Sequence, residues 1–248
     1  GTSDDASTLA TSEHIAQTTI AESPVDGLDF AFSFNAVTHA GDSGQGSLRQ
    51  FIENANALPG ENAMQFLAER AAIRLLSPLP RLTDAIVIAG RSTSAEIGSV
   101  TRVGTKGVRP RNPSRSALSI DFGGAPVGLD AAADLTLRDV MIIGAGTQVR
   151  AASRLTLENV VVGMLLDRRD ATGIEISGAA TLRRVLVTAM ARDAIVVKPE
   201  GSIDAEHVEL SDSGAGLTVA SAVSRLWRSL FLLNGTAIVA SPWPSVEQ

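Results

Sequence analysis

The sequence predicts an all-β chain wound as a parallel β-solenoid, and two periodicities carry that reading. First, Leu135-Thr136-Leu137-Arg138-Asp139-Val140-Met141-Ile142 returns as Leu155-Thr156-Leu157-Glu158-Asn159-Val160-Val161-Val162, as Ala180-Thr181-Leu182-Arg183-Arg184-Val185-Leu186-Val187 and as Ile203-Asp204-Ala205-Glu206-His207-Val208-Glu209-Leu210. Second, Gly173-Ile174-Glu175-Ile176 returns as Ala194-Ile195-Val196-Val197, Gly216-Leu217-Thr218-Val219 and Ala237-Ile238-Val239-Ala240. Self-similarity at a fixed spacing of this length marks a repeat architecture, in which each unit buries its neighbour's apolar face.

The interior of the first motif identifies the element. Leucines alternate with threonine in its first half and branched residues alternate in its second, as in strands with one buried face. Between the halves the step is three residues rather than two, and the gap holds a polar pair in every copy: Arg138-Asp139, Glu158-Asn159, Arg183-Arg184 and Glu206-His207. Such a pair breaks the alternation without reversing the inward face, as a sharp corner between two strands does. Stacking then places Leu137, Leu157, Leu182 and Ala205 in one interior column and Val140, Val160, Val185 and Val208 in another. Helical repeats need longer runs at helical spacing; these units are short, rich in Val and Ile, and punctuated by Gly, Asn and Asp.

The N-terminal part reads differently. Residues 1–28, rich in Ser, Thr, Ala and Asp, are expected to be a flexible leader, with an arm that adds a strand through Ile15, Thr19 and Ile20 as the alternative. Phe30, Phe32 and Phe34 alternate as a strand, and Gly41-Asp42-Ser43-Gly44-Gln45-Gly46 reads as a turn. From Ser47 the period becomes helical: Leu48, Phe51, Ile52 and Ala55 share one face, Ser47 is the expected N-cap and Pro59-Gly60 the stop. A short amphipathic helix there can cover the open end of the first coil. The expected layout within a single domain, 29–248, is a cap over 29–60, coils over 61–240 and a tail over 241–248.

Composition narrows the function classes. At 248 residues and 44% hydrophobic the chain can bury a large core. A net charge of −6 and a pI near 5.1 argue against a nucleic-acid partner, which needs a basic face. No apolar run approaches the length of a membrane span. Cysteine is absent, which removes thiolate chemistry. No signal peptide is visible at Gly1, so an exported protein is expected here as a mature or trimmed form. Of the 21 basic residues only Lys106 and Lys198 are lysine, a bias with no functional message.

Val37-Thr38-His39-Ala40-Gly41-Asp42-Ser43-Gly44-Gln45-Gly46-Ser47-Leu48-Arg49-Gln50-Phe51-Ile52-Glu53-Asn54-Ala55-Asn56-Ala57-Leu58-Pro59-Gly60 resembles the N-terminal cap of right-handed parallel β-helix proteins of the pectin-lyase-like superfamily, found especially in large bacterial surface and secreted proteins. Leu79-Pro80-Arg81-Leu82-Thr83-Asp84-Ala85-Ile86-Val87-Ile88-Ala89-Gly90 is similar to that family's first strand pair, and the resemblance spans roughly residues 35–240. It implies a right-handed parallel β-helix with a capping helix and an extracytoplasmic location (periplasm, outer surface or secreted). The motif is specific for architecture and says little about activity.

Enzymes of that superfamily act on acidic polysaccharides with carboxylates, often calcium, and an Arg or Lys base on one outer face. The nearest set here is Asp170 with Arg192, Asp193 and Lys198, next to Asp167-Arg168-Arg169; stacking is expected to bring Asp170 near Asp193, where two carboxylates flanked by guanidinium groups could bind calcium or act as an acid and base. The structural alternative is a turn ladder of Asp170, Asp193, Asp212 and Asn234, because short polar side chains stabilise turns by bonding the local backbone. The enzymes' Asn-Thr-Asp, Gly-His-Gly and Arg-x-Lys patterns are missing, as is a pair of adjacent aspartates within the coils. Arg102, Lys106, Arg109, Arg111 and Arg115 make the irregular stretch 91–116 basic, either as a solvated loop or as a docking loop for an acidic polymer or partner. His14, His39 and His207 share no metal-ligand spacing. Trp227, Phe231 and Trp243 are expected to plug the last coil. The function expected is a non-enzymatic structural or surface-binding domain without cofactor or metal, whose partner is a protein in a larger assembly or a polysaccharide. The alternative is a polysaccharide lyase or hydrolase acting on an acidic glycan.

Overall fold

The computed structural model describes residues 34–67, 72–90, 118–163, 170–221 and 224–240. The chain divides into the units Gly1–Phe34 and Asn35–Gln248. The leader over 1–28, Phe30, Phe32 and the tail over 241–248 lie outside the described residues.

In chain order the elements are β1 (Ala36–Val37), α1 (Leu48–Ala57), β2 (Asn62–Ala63), β3 (Gln65–Phe66), β4 (Ala72–Arg74), β5 (Ile86–Ala89), β6 (Leu118–Asp121), β7 (Val127–Ala131), β8 (Leu135–Ile143), β9 (Thr147–Ala151), β10 (Leu155–Gly163), β11 (Thr172–Ile176), β12 (Ala179–Thr188), β13 (Asp193–Val197), β14 (Ser202–Ser211), β15 (Ala215–Val219), β16 (Ser224–Trp227), β17 (Leu230–Leu232) and β18 (Thr236–Ala240). Every pairing among them is parallel. A 10-stranded sheet centres on β8, β10, β12 and β14, and a 6-stranded sheet runs β7-β9-β11-β13-β15-β18. Strands that alternate between two parallel sheets make a solenoid, as the repeats predict.

The registers are those of the sequence repeats. Leu137 pairs with Leu157, Leu157 with Leu182 and Leu182 with Ala205; Val140, Val160, Val185 and Val208 form the next column. All eight are buried in one continuous core. In the second sheet Ile174, Ile195, Leu217 and Ile238 are in register, preceded by Leu129 and Val149, two coils the repeats had not included.

The corner differs from expectation in one respect. The two half-motifs are one continuous bent strand, and the bend is made by the second residue of each polar pair. Asp139, Asn159, Arg184 and His207 all have positive φ, from 53° to 55°. A single left-handed residue turns the chain while returning the next side chain to the core, which explains the three-residue step. Asn and Asp tolerate this conformation better than other side chains do. A second left-handed corner lies where the long strand ends: Gly144, Ala189, Asp212 and Leu233 each follow by two residues the column Ile142, Val187, Leu210 and Phe231. No shared residue type marks it, so it was invisible in the sequence.

At the N-terminal end, α1 buries Leu48, Phe51, Ile52 and Ala55, the expected face, against the same core as Leu82 and Ile86. Ser47 is the N-cap, its Oγ accepting the Gln50 N–H at 3.1 Å. Asn62 closes the other end, its Nδ2 reaching the carbonyls of Leu58 and Gly60, both at 2.9 Å. Asn56 ties the helix to the chain that enters the first sheet, donating to Arg81 O at 2.8 Å and accepting from Thr83 N–H at 2.9 Å. Of the strand expected over the phenylalanines only Phe34 is described, and it falls in a turn just before β1.

Candidate functional site

The polar side chains on the outer surface follow from the coil register. A residue facing outward in one coil lies about one strand spacing from its counterparts above and below, so unlike charges in a column attract. Arg138 lies 3.7 Å from Glu158, and Arg184 lies 2.5 Å from the other oxygen of Glu158. Asn159 donates to Asp139 Oδ1 at 3.0 Å and accepts from Arg184 Nε at 2.5 Å, a ladder across three coils at the left-handed corner. Arg183 binds Asp204 at 2.8 Å and approaches Glu206 at 3.9 Å; Glu206 also faces Arg228 at 3.6 Å and His207 at 3.7 Å. On the second sheet Glu175 sits between Arg150 at 3.8 Å and Lys198 at 3.6 Å. Exposed pairs of this kind contribute about 1 kcal/mol or less each. Their main effect is to select the register.

The residues proposed for chemistry fall into this scheme. Lys198 is one of the two cations on Glu175. Asp193 opens β13, pairs with Ala215 of the next coil, and accepts the Thr218 hydroxyl at 2.5 Å. Arg192 is exposed, and its N–H donates to Ala171 O at 2.9 Å. Asp170 is exposed at the start of the segment leading into β11. Because Ile174 is level with Ile195, the position level with Asp193 is Thr172, two residues beyond Asp170. The four residues of the expected turn ladder share a corner without forming a column: Asp212 is level with Ala189, and Asn234 bonds Ser213. Asp167, Arg168 and Arg169 lie outside the described residues.

The basic stretch Arg102, Lys106, Arg109, Arg111 and Arg115 also lies outside them, but the described residues fix where it is inserted. Ala89 pairs with Arg138 and Leu118 with Val140. The chain thus leaves the register of β8 after Ala89 and rejoins it at Leu118, across the single left-handed corner residue Asp139. Gly90 allows the departure: a Cβ on it would stand 2.2 Å from Asp139 O and 3.0 Å from Leu118 N.

Two carboxylates are held in a more specific way. Burial raises the proton affinity of Asp42, but hydrogen bonds from Leu76 N–H and Arg49, the Arg49 charge and a further bond from Ser77 outweigh it and hold the group below the usual carboxylate range. The Leu76 N–H lies 2.8 Å and Arg49 NH2 2.9 Å from Oδ1. Arg49 also donates to Pro78 O and Ser77 O, so the pair clasps the start of α1 to the segment after β4. Asp134 is lowered chiefly by the Ser153 hydroxyl at 2.5 Å, against burial, with help from the N–H and the charge of Arg154. Both tie neighbouring segments together. Asp42 stands in the cap motif; Asp134 has no counterpart in the other coils, so no sequence signal pointed to it.

The histidines are structural where described. His39 accepts the Gly41 N–H on Nδ1 at 3.0 Å, so its Nε2 carries the proton that bonds Gln45 O at 2.7 Å. His14 lies outside the described residues. Among the described residues no group of three or more His, Asp or Glu side chains is placed to hold a metal ion, and no helix is long and apolar enough to cross a membrane. The aromatic plug is corrected in part: Phe231 packs against the core, but Trp227 is level with outward-facing Glu206 and is 56% exposed. Trp243 lies outside the described residues. No family model, curated protein or solved structure matches this chain.

Proposed function

We propose that this chain is a non-enzymatic scaffold: a right-handed parallel β-helix domain that serves as a structural or surface-binding part of a bacterial envelope or extracellular assembly. The observation that carries the reading is the use of the polar side chains. Asp193 is engaged by Thr218 and Lys198 by Glu175, whereas an enzyme for acidic glycans needs cations available to the substrate and an acid or base facing it. The last coil supports the assembly. Leu230, Leu233, Ile238 and Val239 are exposed with Trp227, and clustered apolar exposure marks a surface that is covered in use. The right-handed winding rests on the strong preference of parallel crossovers for that hand, and the capping role of α1 on its buried face. The bacterial and extracytoplasmic setting rests on the resemblance of the cap motif alone.

The test is turnover. The protein is incubated with a panel of acidic polysaccharides, with and without calcium, while unsaturated and reducing ends are followed. The scaffold reading expects no product. Product formation that Asp170→Asn or Asp193→Asn abolishes in a folded protein would overturn it in favour of a polysaccharide lyase or hydrolase.

A further inference from the structure

Asn234-Gly235 is the one Asn-Gly step in the sequence, and it forms the turn between β17 and β18. Asparagine before glycine is chemically labile, because no side chain keeps the glycine nitrogen from the carbon of the neighbouring side-chain amide. Here both reacting groups are held by the coil below. Asn234 Nδ2 donates to Leu210 O at 2.8 Å, and its Oδ1 accepts the Ser213 N–H at 3.0 Å. The Gly235 N–H donates to Ser213 O at 2.9 Å, and the Thr236 N–H to Gly214 O at 2.9 Å. With the nucleophilic nitrogen directed at one carbonyl and the electrophilic amide fixed by two bonds, ring closure requires the coil over 224–240 to lift away. Among the described residues that coil is the least buried. Every residue of β18 is exposed, and Leu233, beside Asn234, is 69% exposed. Segments with few buried contacts open locally without global unfolding.

We infer that Asn234 is a site of spontaneous deamidation gated by opening of the terminal coil, and that the product keeps the coil open. The Gly235 nitrogen loses its proton and attacks Asn234 Cγ, forming the new C–N bond of a succinimide. The bond from Cγ to Nδ2 breaks, and ammonia leaves with a proton from solvent. Water then adds to one of the two ring carbonyls and the bond from that carbon to the Gly235 nitrogen breaks, the nitrogen taking back a proton: opening at Cγ gives aspartate, and opening at the main-chain carbonyl gives isoaspartate. Neither product can restore the contact: a carboxylate has no hydrogen for Leu210 O, and the extra backbone carbon of isoaspartate shifts Gly235 and Thr236 out of register with Ser213 and Gly214. Opening is thereby converted from a reversible fluctuation into a permanent loss of the last coil.

Peptide mapping by mass spectrometry tests this on the full chain held in mildly alkaline buffer, beside a synthetic peptide covering 228–240 under the same conditions. Deamidation at Asn234 in the folded chain is expected to run at least about tenfold slower than in the peptide. It should accelerate in Ile238→Asp, which loosens the coil, and in denaturant. Asn234→Asp should lose amide protection in β16–β18 while β8–β14 keep theirs. Equal rates in folded chain and peptide, or a rate unmoved by Ile238→Asp when β18 amides exchange faster, would overturn the gating. Unchanged β18 protection in Asn234→Asp would overturn the claim that the product holds the coil open.

Discussion

The first and last described parts of the solenoid contrast sharply. In the first, α1 lays Leu48, Phe51, Ile52 and Ala55 into the core, and all four are buried. In the last, the coil made by β16, β17 and β18 repeats the coil pattern and keeps its register, yet Ile238, in the column of fully buried Ile174, is 53% exposed. Identical position in the repeat therefore gives opposite burial. In a solenoid, stability belongs to the interface between neighbours rather than to the coil, and an apolar side chain is buried only if something lies on both sides of it.

The largest expected effect breaks that contrast directly. Leu157→Asp places an unpaired charge between two coils and should cost about 3–5 kcal/mol, whereas Ile238→Asp should cost less than about 1 kcal/mol. Denaturant unfolding of both variants measures the difference. Comparable losses would mean that the last coil is as well covered as the middle.

Asp42→Ala comes next, acting where Arg49 of α1 meets the segment after β4. It strands the Leu76 N–H and the Arg49 guanidinium and should cost about 2 kcal/mol. Because the folded proton affinity of Asp42 is lowered, its charge-dependent contribution is fully present above the unfolded value near about 3.9 and is lost as pH falls through the lower folded value. Urea unfolding of wild type and variant as a function of pH should show that part of the gap constant near neutrality and vanishing only on the acid side.

The smallest expected effect concerns the second corner. Ala189 has φ of 62°, a region that disfavours any Cβ. Ala189→Gly should therefore stabilise by about 0.5–1 kcal/mol, despite glycine's larger entropy loss on folding. A thermal melt reads the shift; a loss would mean that the Ala189 methyl contributes more by packing than its backbone loses in strain.

These contrasts also explain what was legible in advance. The interior columns were readable because Leu137, Leu157 and Leu182 face like residues, so periodicity and packing coincide. The first corner was readable because its left-handed position takes Asp139 and Asn159, which favour that geometry, and because the neighbouring charges form ladders. The second corner was not, since Gly144, Ala189, Asp212 and Leu233 share no chemistry. The candidate site was the least legible. Spacing alone put Asp170 near Asp193, whereas the strand register sets Thr172 level with Asp193, and Lys198 faces Glu175. Side-chain partners across coils depend on loop lengths that repeats do not encode.

Residue-resolved amide hydrogen exchange on the intact protein tests the central claim, a continuous parallel core in which the α1 face is buried and the coil of β16, β17 and β18 is exposed. Protection should be greatest through β8, β10, β12 and β14, substantial at the last turn of α1, and lowest in β16, β17 and β18. If β18 exchanged as slowly as β11, or α1 as fast as β18, the account of the two parts would be wrong.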